Sequence, residues 1–304
     1  MAIRDGIILI DKPAGITSHD VVARLRRILG VRRIGHGGTL DPGATGLLVI
    51  FVGRATRLAE YLGGGVKQYD ATIRFGVATD TEDADGEEIE TAPVPHVGLE
   101  EMTESRKRFL GQIEQVPPAY SAVHVGGSRA YKVARRGQEV DLQPRTVRIE
   151  AIEVLGWRPP DLDVRVTCHG GTYVRSLARD WGRSLGSVAH VARLRRERSE
   201  PFDVRDTLTL EDVERRVAEG SASSVIASPL PALVTVLGRT AEIEPDDAGQ
   251  FVRGVAVPFG SSGQAMAGTD RVVVTSHGAF VGLAEVRRDR LGAVLEPRVV
   301  WSPA

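Results

Sequence analysis

The residues with the clearest chemical potential lie in the stretch GHGGTLDPGATG, where five glycines surround one carboxylate, that of Asp41. Aspartate has an ordinary pKa of about 3.9, so it is ionised at neutral pH without help. Its carboxylate could act as a nucleophile or a base where glycines let a substrate approach the backbone. The Asp41-Pro42 pair is also typical of a plain turn. The loop alone leaves both interpretations open.

Other catalytic patterns do not fit this stretch. A phosphate-binding P-loop needs Lys and Ser or Thr after its last glycine, whereas Gly46 is followed by two leucines. A dinucleotide fingerprint needs a strand before the glycines, and here a strand-type run follows them instead. The seven histidines show no pair at metal-ligand spacing, and no G-x-S-x-G nucleophile elbow occurs. The residues therefore give no indication of a metal or cofactor site.

The elements that would position Asp41 follow from hydrophobic periodicity. Apolar residues at helical spacing between Ser18, the expected N-cap, and Gly30 predict one helix. Further helices are expected at residues 174–185, with arginines at spacing four beside the apolar stripe, and at 210–219. Strands are predicted at residues 6–10, 47–52, 69–75, 145–155, 162–168, 271–275, 280–286 and 298–301, with a polar loop at 79–86.

Changes in composition and in the predicted elements along the 304 residues indicate the domain boundaries. Residues 221–231 are rich in Ser, Ala and Pro, as in a linker, and beyond about residue 240 short strands alternate with Gly-rich turns. These features predict one domain at residues 1–237 and a smaller β-domain at 238–304. Because strands and helices are mixed without βαβ regularity, we expect an α+β fold with a largely antiparallel sheet.

Composition is that of a globular protein, with 42% hydrophobic and 26% charged residues and no apolar run long enough for a bilayer. The N-terminus lacks a secretory pattern, and the single cysteine, Cys168, suits the cytosol. The net charge of -1 taken alone argues against a nucleic-acid partner, but basic residues cluster at 24–33, 132–136 and 193–198. Most of them are arginine, which a GC-rich genome or phosphate recognition would each explain.

The stretch GHGGTLDPGATGLL is similar to the G-H-x-G-x-L-D-P-x-A-T-G-x-L motif of the TruB family of tRNA pseudouridine synthases. The resemblance extends to DKPAGITSHDVV from residue 11, to the K-x-Y element at 67–69, and to residues 115–137 and 171–196. Order and spacing are shared throughout. The resemblance therefore favours Asp41 as a catalytic residue over a turn residue.

This resemblance implies isomerisation of uridine to pseudouridine at position 55, in the T loop of tRNA, after the base has been flipped out and without metal or cofactor. It implies a pseudouridine synthase catalytic domain at residues 1–237, with an RNA-binding insertion at about 112–145. The C-terminal residues 238–304 resemble the PUA-like RNA-binding domain of this family. We expect a cytoplasmic monomer whose partner is the T arm of tRNA, with no membrane association.

The matching positions also imply roles for individual residues. Asp41 is the expected catalytic carboxylate, Arg175 the arginine that orients it, and Tyr69 the ring that stacks on the flipped base. Substrate contacts are implied for Leu194 as a wall of the base pocket, for His36 as the residue filling the gap left by the base, and for Tyr173 and Lys12 at further pocket or RNA-side positions. Without the resemblance, Tyr69 and Leu194 would be ordinary core residues and Arg175 a solvated helix arginine.

The chain also departs from the family pattern. Gly37 stands where many members have Thr, Gly43 where they have a bulky Leu, and His169-Gly170 where they have Ser-Lys. The last change removes a cation that would face RNA. The alternative function is that of a protein that binds and refolds tRNA without chemistry, and the alternative for the C-terminal strands is an unrelated β-domain. Retention of the carboxylate, the tyrosine and the arginine together favours the enzyme.

Overall fold

The computed structural model describes residues 5–121, 123–125, 127–134, 136–138, 140–259, 271–289 and 292–301. Parts of the predicted insertion and of the predicted C-terminal domain lie outside these ranges. The helices are α1 (Ser18–Leu29), α2 (Ala59–Leu62), α3 (Leu99–Ser105), α4 (Ala130–Ala134), α5 (Val174–Ser184), α6 (Leu210–Ala218), α7 (Leu230–Leu237) and α8 (Pro245–Phe251).

The strands alternate with these helices without βαβ regularity. They are β1 (Gly6–Lys12), β2 (Ile34–His36), β3 (Thr45–Val52), β4 (Lys67–Phe75), β5 (Val77–Thr79), β6 (Glu88–Thr91), β7 (Gly111–Gln115), β8 (His124–Val125), β9 (Ser128–Arg129), β10 (Arg145–Arg158), β11 (Asp161–Cys168), β12 (Ala189–Ser199), β13 (Phe202–Asp203), β14 (Thr240–Glu242), β15 (Val257–Phe259), β16 (Arg271–Ser276), β17 (Ala279–Asp289) and β18 (Gly292–Val300). The α+β prediction is confirmed.

The larger sheet has the strand order β1-β3-β12-β4-β11-β10-β7, with β2 beside β3 and β13 beside β12. Its neighbouring strands pair antiparallel, except that β12 and β3 run parallel. The periodicity analysis did not predict β12, because arginines and a glutamate interrupt its apolar residues. This strand nevertheless lies in the middle of the sheet, and it joins the strand after the Asp41 loop to β4.

Strand β3 is buried on both faces, which explains its uninterrupted apolar sequence. Leu48, Ile50 and Val52 point into the main core, which α1, α5 and α6 cover. The alternate residues Leu47, Val49 and Phe51 point to the opposite face, where they pack with α7 and the C-terminal sheet, β14-β16-β17-β18-β15. The two sheets therefore share a hydrophobic cluster, whose C-terminal members are Val273, Phe280, Leu283 and Val299.

Two local predictions from the sequence were wrong. Helix α1 is capped by Thr17, whose side chain forms a capping box with Asp20, and not by Ser18. Residues 221–231 are not a linker, because a 3₁₀ turn occupies Ala222–Val225 and the backbone of Ala227 exchanges hydrogen bonds of 2.9 and 2.8 Å with Ile7. Small residues there permit close packing against β1. Within the described ranges, no helix is long and apolar enough to cross a membrane.

The parallel contact of β3 and β12 predicts a strong effect of one methyl group. Gly46 has φ +97°, and a β-carbon there would lie 2.4 Å from the carbonyl oxygen of Arg196. We expect Gly46→Ala to lower the free energy of unfolding by about 2–3 kcal/mol, since it adds backbone strain and a steric clash. Urea unfolding followed by circular dichroism measures this loss.

The matched control is Gly249→Ala, within helix α8, where a β-carbon would meet no atom within 4 Å of it. The same substitution should be neutral or stabilise the protein by up to about 1 kcal/mol, because alanine favours helix. Equal stabilities of the two variants would contradict a steric constraint at Gly46.

Candidate active site

A cleft of about 220 Å³ opens where the Asp41 loop meets β12 and the loop after β5. Its lining combines acids, a buried arginine, an exposed arginine and apolar side chains. The members used below are Asp41, Asp83, Asp85, Arg175, Arg193 and Leu194. Protein sites for small groups are typically concave, apolar in part, and supplied with a few fixed polar atoms, and this cleft has that character.

The centre of the cleft is the ion pair of Asp41 and Arg175. Arg175 Nη2 donates to Asp41 Oδ1 at 3.0 Å, and Arg175 Nε lies 3.0 Å from Asp41 Oδ2. The arginine side chain is 4% exposed, whereas the aspartate side chain is 31% exposed and faces the cleft. The guanidinium thus supports the carboxylate from behind and leaves its front open to a ligand.

The rest of the guanidinium is fixed by main-chain oxygens. Arg175 Nη1 donates to the carbonyl of Thr81 at 2.8 Å, and Nη2 also donates to the carbonyl of Tyr120 at 2.9 Å. Arg175 Nε lies 3.7 Å from Asp83 Oδ2. These contacts hold the planar group in one orientation, which a lysine ammonium could not reproduce. Arg175 is therefore not a solvated helix arginine, which was the alternative left by the sequence pattern.

The start of helix α5 is fixed by two hydrogen bonds, and this start places Arg175 in the cleft. The Tyr173 backbone N–H donates to Gln115 Oε1 at 2.8 Å, and Gln115 Nε2 donates to the Tyr173 carbonyl at 3.0 Å. Gln115 is buried at the end of β7, so a side-chain amide clamps the peptide before the first helical turn. The arginine is the second residue of that helix.

Sequence reasoning missed the function of the loop at residues 79–86, which was predicted merely as polar. Glu82, at φ +63°, pairs with Arg179 of α5 at 2.5 Å, and Asp85 Oδ2 accepts from the backbone N–H of Gly43 at 2.9 Å. Asp83 lines the cleft. The charge pattern could have indicated this contact, because the loop has four acidic residues in eight and α5 carries arginines at a spacing of four.

The protonation of Asp41 is set by opposing influences. Burial raises the pKa of the Asp41 carboxyl above its usual range, and the neighbouring charge of Asp83 adds to this shift. The Arg175 guanidinium opposes both, as does the Lys12 ammonium more weakly. A raised pKa combined with a fixed cation describes a carboxylate that water solvates poorly, and such groups cluster at functional sites.

Lys12 supports the Asp41 loop in this structure. It is fully buried, and its Nζ donates to the carbonyls of Pro13, Ile16 and Pro42 at 2.9, 2.7 and 3.0 Å. Burial lowers the pKa of Lys12 to about 8. These bonds consume the donors of the ammonium and fix the residue that follows Asp41.

Ser18 fixes the residue before Asp41. Its Oγ donates to the carbonyl of Leu40 at 3.1 Å and accepts from the backbone N–H of Leu40 at 2.9 Å. This bond pair explains why Ser18 does not cap α1. The loop is thereby tied to that helix on one side of Asp41 and to Lys12 on the other.

Tyr69 lies on β4 opposite Arg196 of β12, and it is buried with 8% exposure. A side-chain hydrogen bond joins the two residues, while burial raises the pKa of the Tyr69 phenol. Arg196 is itself buried, and it donates from Nε to the carbonyl of Leu47 at 2.8 Å and from Nη2 to that of Gly38 at 3.2 Å. Arg196, which the sequence analysis did not single out, thus connects Tyr69 to both flanks of the glycine loop.

The remaining predicted residues fall at different distances from the cleft. Leu194 lines it and is half-buried. Tyr173 is half-buried at the start of α5, where burial raises the pKa of its phenol. His36 is half-buried at the end of β2, paired with Ile50 of β3, and is not part of the cleft lining. In the described part of the chain, no group of three or more His, Cys, Asp or Glu residues could hold a metal ion.

Comparison with known proteins places this site in a family. Residues 26–174 match the model described as "TruB family pseudouridylate synthase (N terminal domain)", and residues 175–237 match "tRNA pseudouridylate synthase B C-terminal domain". The junction of the two models falls between Val174 and Arg175, inside α5. It therefore does not mark a structural boundary, since β12 beyond it lies in the middle of the larger sheet.

Relatives and solved structures agree with these matches. The chain is 41% identical over 312 residues to "tRNA pseudouridine synthase B" of Trichormus variabilis, covering 98% of this chain and 99% of that protein. It is 47% identical over 260 residues to the protein of the same name from Gloeobacter violaceus, covering 84% and 87%. "Structure of H/ACA RNP bound to a substrate RNA containing 2'-deoxyuridine" matches with a TM-score of 0.74 and 26% identity, covering 99% of this chain and 86% of that chain. On these grounds the chain belongs to the TruB family of pseudouridylate synthases.

Proposed function

We propose that this protein isomerises uridine to pseudouridine at position 55 in the T loop of tRNA, with Asp41 as the catalytic carboxylate. The observation that carries the proposal is the ion pair of Asp41 with a buried Arg175, whose terminal nitrogens donate to two main-chain carbonyls, at the end of an open cleft. The names of the relatives support tRNA as the substrate. The likeness to a ribonucleoprotein solved with a substrate RNA supports an RNA ligand in this cleft.

The reaction breaks the bond between the sugar and the base nitrogen, turns the base and rejoins it through carbon C5. C5 loses a proton and the freed nitrogen gains one, so the composition is unchanged. An ionised Asp41 provides the negative charge for this chemistry, and Arg175 keeps it oriented. The target base must leave its stack, at a cost of a few kcal/mol. Stacking on an aromatic ring returns about 1–3 kcal/mol, and Tyr69 is our proposed ring, with Leu194 as the opposing wall.

The remaining residues fit supporting roles in this proposal. Arg193 is exposed at the mouth of the cleft, where it can meet a phosphate. Tyr173 borders the Arg175 helix, and His36 would fill the space that the flipped base leaves in the RNA.

We infer that residues 1–237 form the catalytic domain, that the segment at about 112–145 and the C-terminal residues 238–304 bind RNA, and that a monomer acts in the cytoplasm.

Asp41→Asn tests the catalytic carboxylate directly. Asparagine keeps the size and turn propensity and still accepts a hydrogen bond from Arg175, whereas the charge needed for chemistry is gone. We expect tritium release from C5-labelled uridine in a tRNA transcript to fall by more than about 10³-fold. Tm and tRNA affinity should stay near wild-type values. Substantial release would leave the refolding activity as the surviving function.

Arg175→Lys tests whether the arginine orients Asp41 or binds RNA. Lysine keeps the charge but cannot reach Asp41 and the two carbonyls together. We expect turnover at saturating tRNA to fall by about 10²-fold, the scale of a small misplacement at a catalytic centre. Affinity should change little. The control is Arg183→Lys in the same helix, at an exposed position, which should leave both quantities unchanged. Equal losses in turnover and affinity for the first variant would mark Arg175 as an RNA contact.

The raised pKa of Asp41 also predicts a pH dependence of stability. The folded protein holds this proton more tightly than the unfolded chain, whose Asp41 titrates near 3.8. The stabilising contribution of the proton is therefore complete below that pH and is lost as pH rises through the folded pKa. We expect the free energy of unfolding of wild type, relative to Asp41→Asn, to decrease from pH 4.5 upward in chemical denaturation. An increase would show that the attraction of Arg175 outweighs burial.

A further inference from the structure

The ammonium of Lys67 lies beside the glycine loop, outside the lining of the Asp41 cleft. A side chain on Gly38 would begin 3.9 Å from Lys67 Nζ and 3.5 Å from Arg196 Nη1. Both cationic groups therefore flank one point of the backbone, three residues before Asp41. Gly38 has φ +118°, a conformation that suits glycine, so this point remains free of a side chain.

The two cations lack acidic partners within the described residues. Arg196 uses its donors on the carbonyls of Leu47 and Gly38, with a further bond to Tyr69. Lys67 is half-buried, and burial followed by the charge of Arg196 lowers the pKa of its ammonium. Glu150 of β10, two strands away from β4, is paired with His169 at 2.8 Å. Two like charges held close together in a poorly solvated place repel each other, and a bound anion would relieve that repulsion.

The backbone around Lys67 leaves room for such an anion. A side chain on Gly170 would begin 3.5 Å from Lys67 Nζ and 3.6 Å from the Gly64 carbonyl oxygen. Side chains on Gly64 or Gly171 would meet no atom within 4 Å. In the described chain, the N–H groups of Gly170 and Gly171 donate no hydrogen bond, so they are available to an incoming oxygen.

We propose that Lys67, with Arg196 behind it and the Gly170-Gly171 turn beside it, binds a phosphodiester group of the RNA strand that carries the target nucleotide. This inference rests on the proposed function. Lys67 and Tyr69 are two residues apart on β4, so their side chains project from the same face of the strand, about 7 Å apart along it. An RNA strand whose base reaches Tyr69 therefore passes a phosphate beside Lys67.

Lys67→Gln tests the site through the salt dependence of binding. Affinity for an unmodified tRNA transcript is measured between 50 and 300 mM KCl in the Asp41→Asn background, so that no product forms. Loss of one phosphate contact should weaken binding by about tenfold and reduce the slope of log affinity against log salt by about 0.7–0.9. Lys67→Arg keeps the charge and should keep the slope. Lys107→Gln, an exposed lysine paired with Glu104, is the matched control and should match the parent.

A second measurement identifies the ligand and protects the test against misfolding. Single neutral methylphosphonate linkages are placed along the T-loop strand of the transcript. A neutral linkage at one position should weaken binding to the parent protein and should have no further effect on binding to Lys67→Gln. If Lys67→Gln has a lowered Tm, Lys67→Met takes its place in this comparison. An unchanged salt slope with a native Tm, or additive losses at every linkage, would overturn the phosphate site. Tritium release by Lys67→Gln at saturating RNA reports separately on the proposed reaction, which would survive that outcome.

Discussion

The ion pair of Asp41 and Arg175 requires the surrounding structure to compensate two charges that are largely removed from water. Burying a carboxylate is unfavourable unless a cation compensates it, and a cation compensates well only if its own donors are satisfied. Main-chain oxygens of Thr81 and Tyr120 accept from the terminal nitrogens of Arg175, and its Nε lies at ion-pair distance from Asp41 and Asp83. Because those oxygens come from separate segments, the ion pair forms only when the loop after β5, the segment after β7 and helix α5 have all assembled.

Each side of the Asp41 loop has a polar anchor inside the protein. Ser18 holds Leu40, Lys12 holds Pro42, and Arg196 holds Gly38 and Leu47. Glycine-rich backbone is entropically costly to order, so side-chain donors aimed at its carbonyls replace the packing that glycines cannot provide. The loop is consequently a fixed element despite its composition. This rigidity suits chemistry that depends on the position of one carboxylate.

Much of the fold could be predicted from the sequence, because the amphipathic helices and most long strands have clear periodicity. Strand β12 could not be predicted, because arginines interrupt the alternation of its apolar residues. The acidic partners of these arginines lie far away in the chain, as Asp11 does for Arg195. The positions of Asp41 and Arg175 in one cleft followed from family resemblance and not from spacing. The structural role of Lys12 was missed for a related reason: a buried lysine that binds carbonyls has no local sequence signature.

Strand β3 directly follows the Asp41 loop, and its second face is covered by the C-terminal sheet and α7. A chain that ended near Gly238 would leave Leu47, Val49 and Phe51 partly in water, along a strand that also orders the Asp41 loop. The C-terminal residues are thus not interchangeable with another module, since any replacement must present a complementary apolar surface. Over evolutionary time, the two parts are expected to be inherited together, with compensating changes on both sides of this shared cluster.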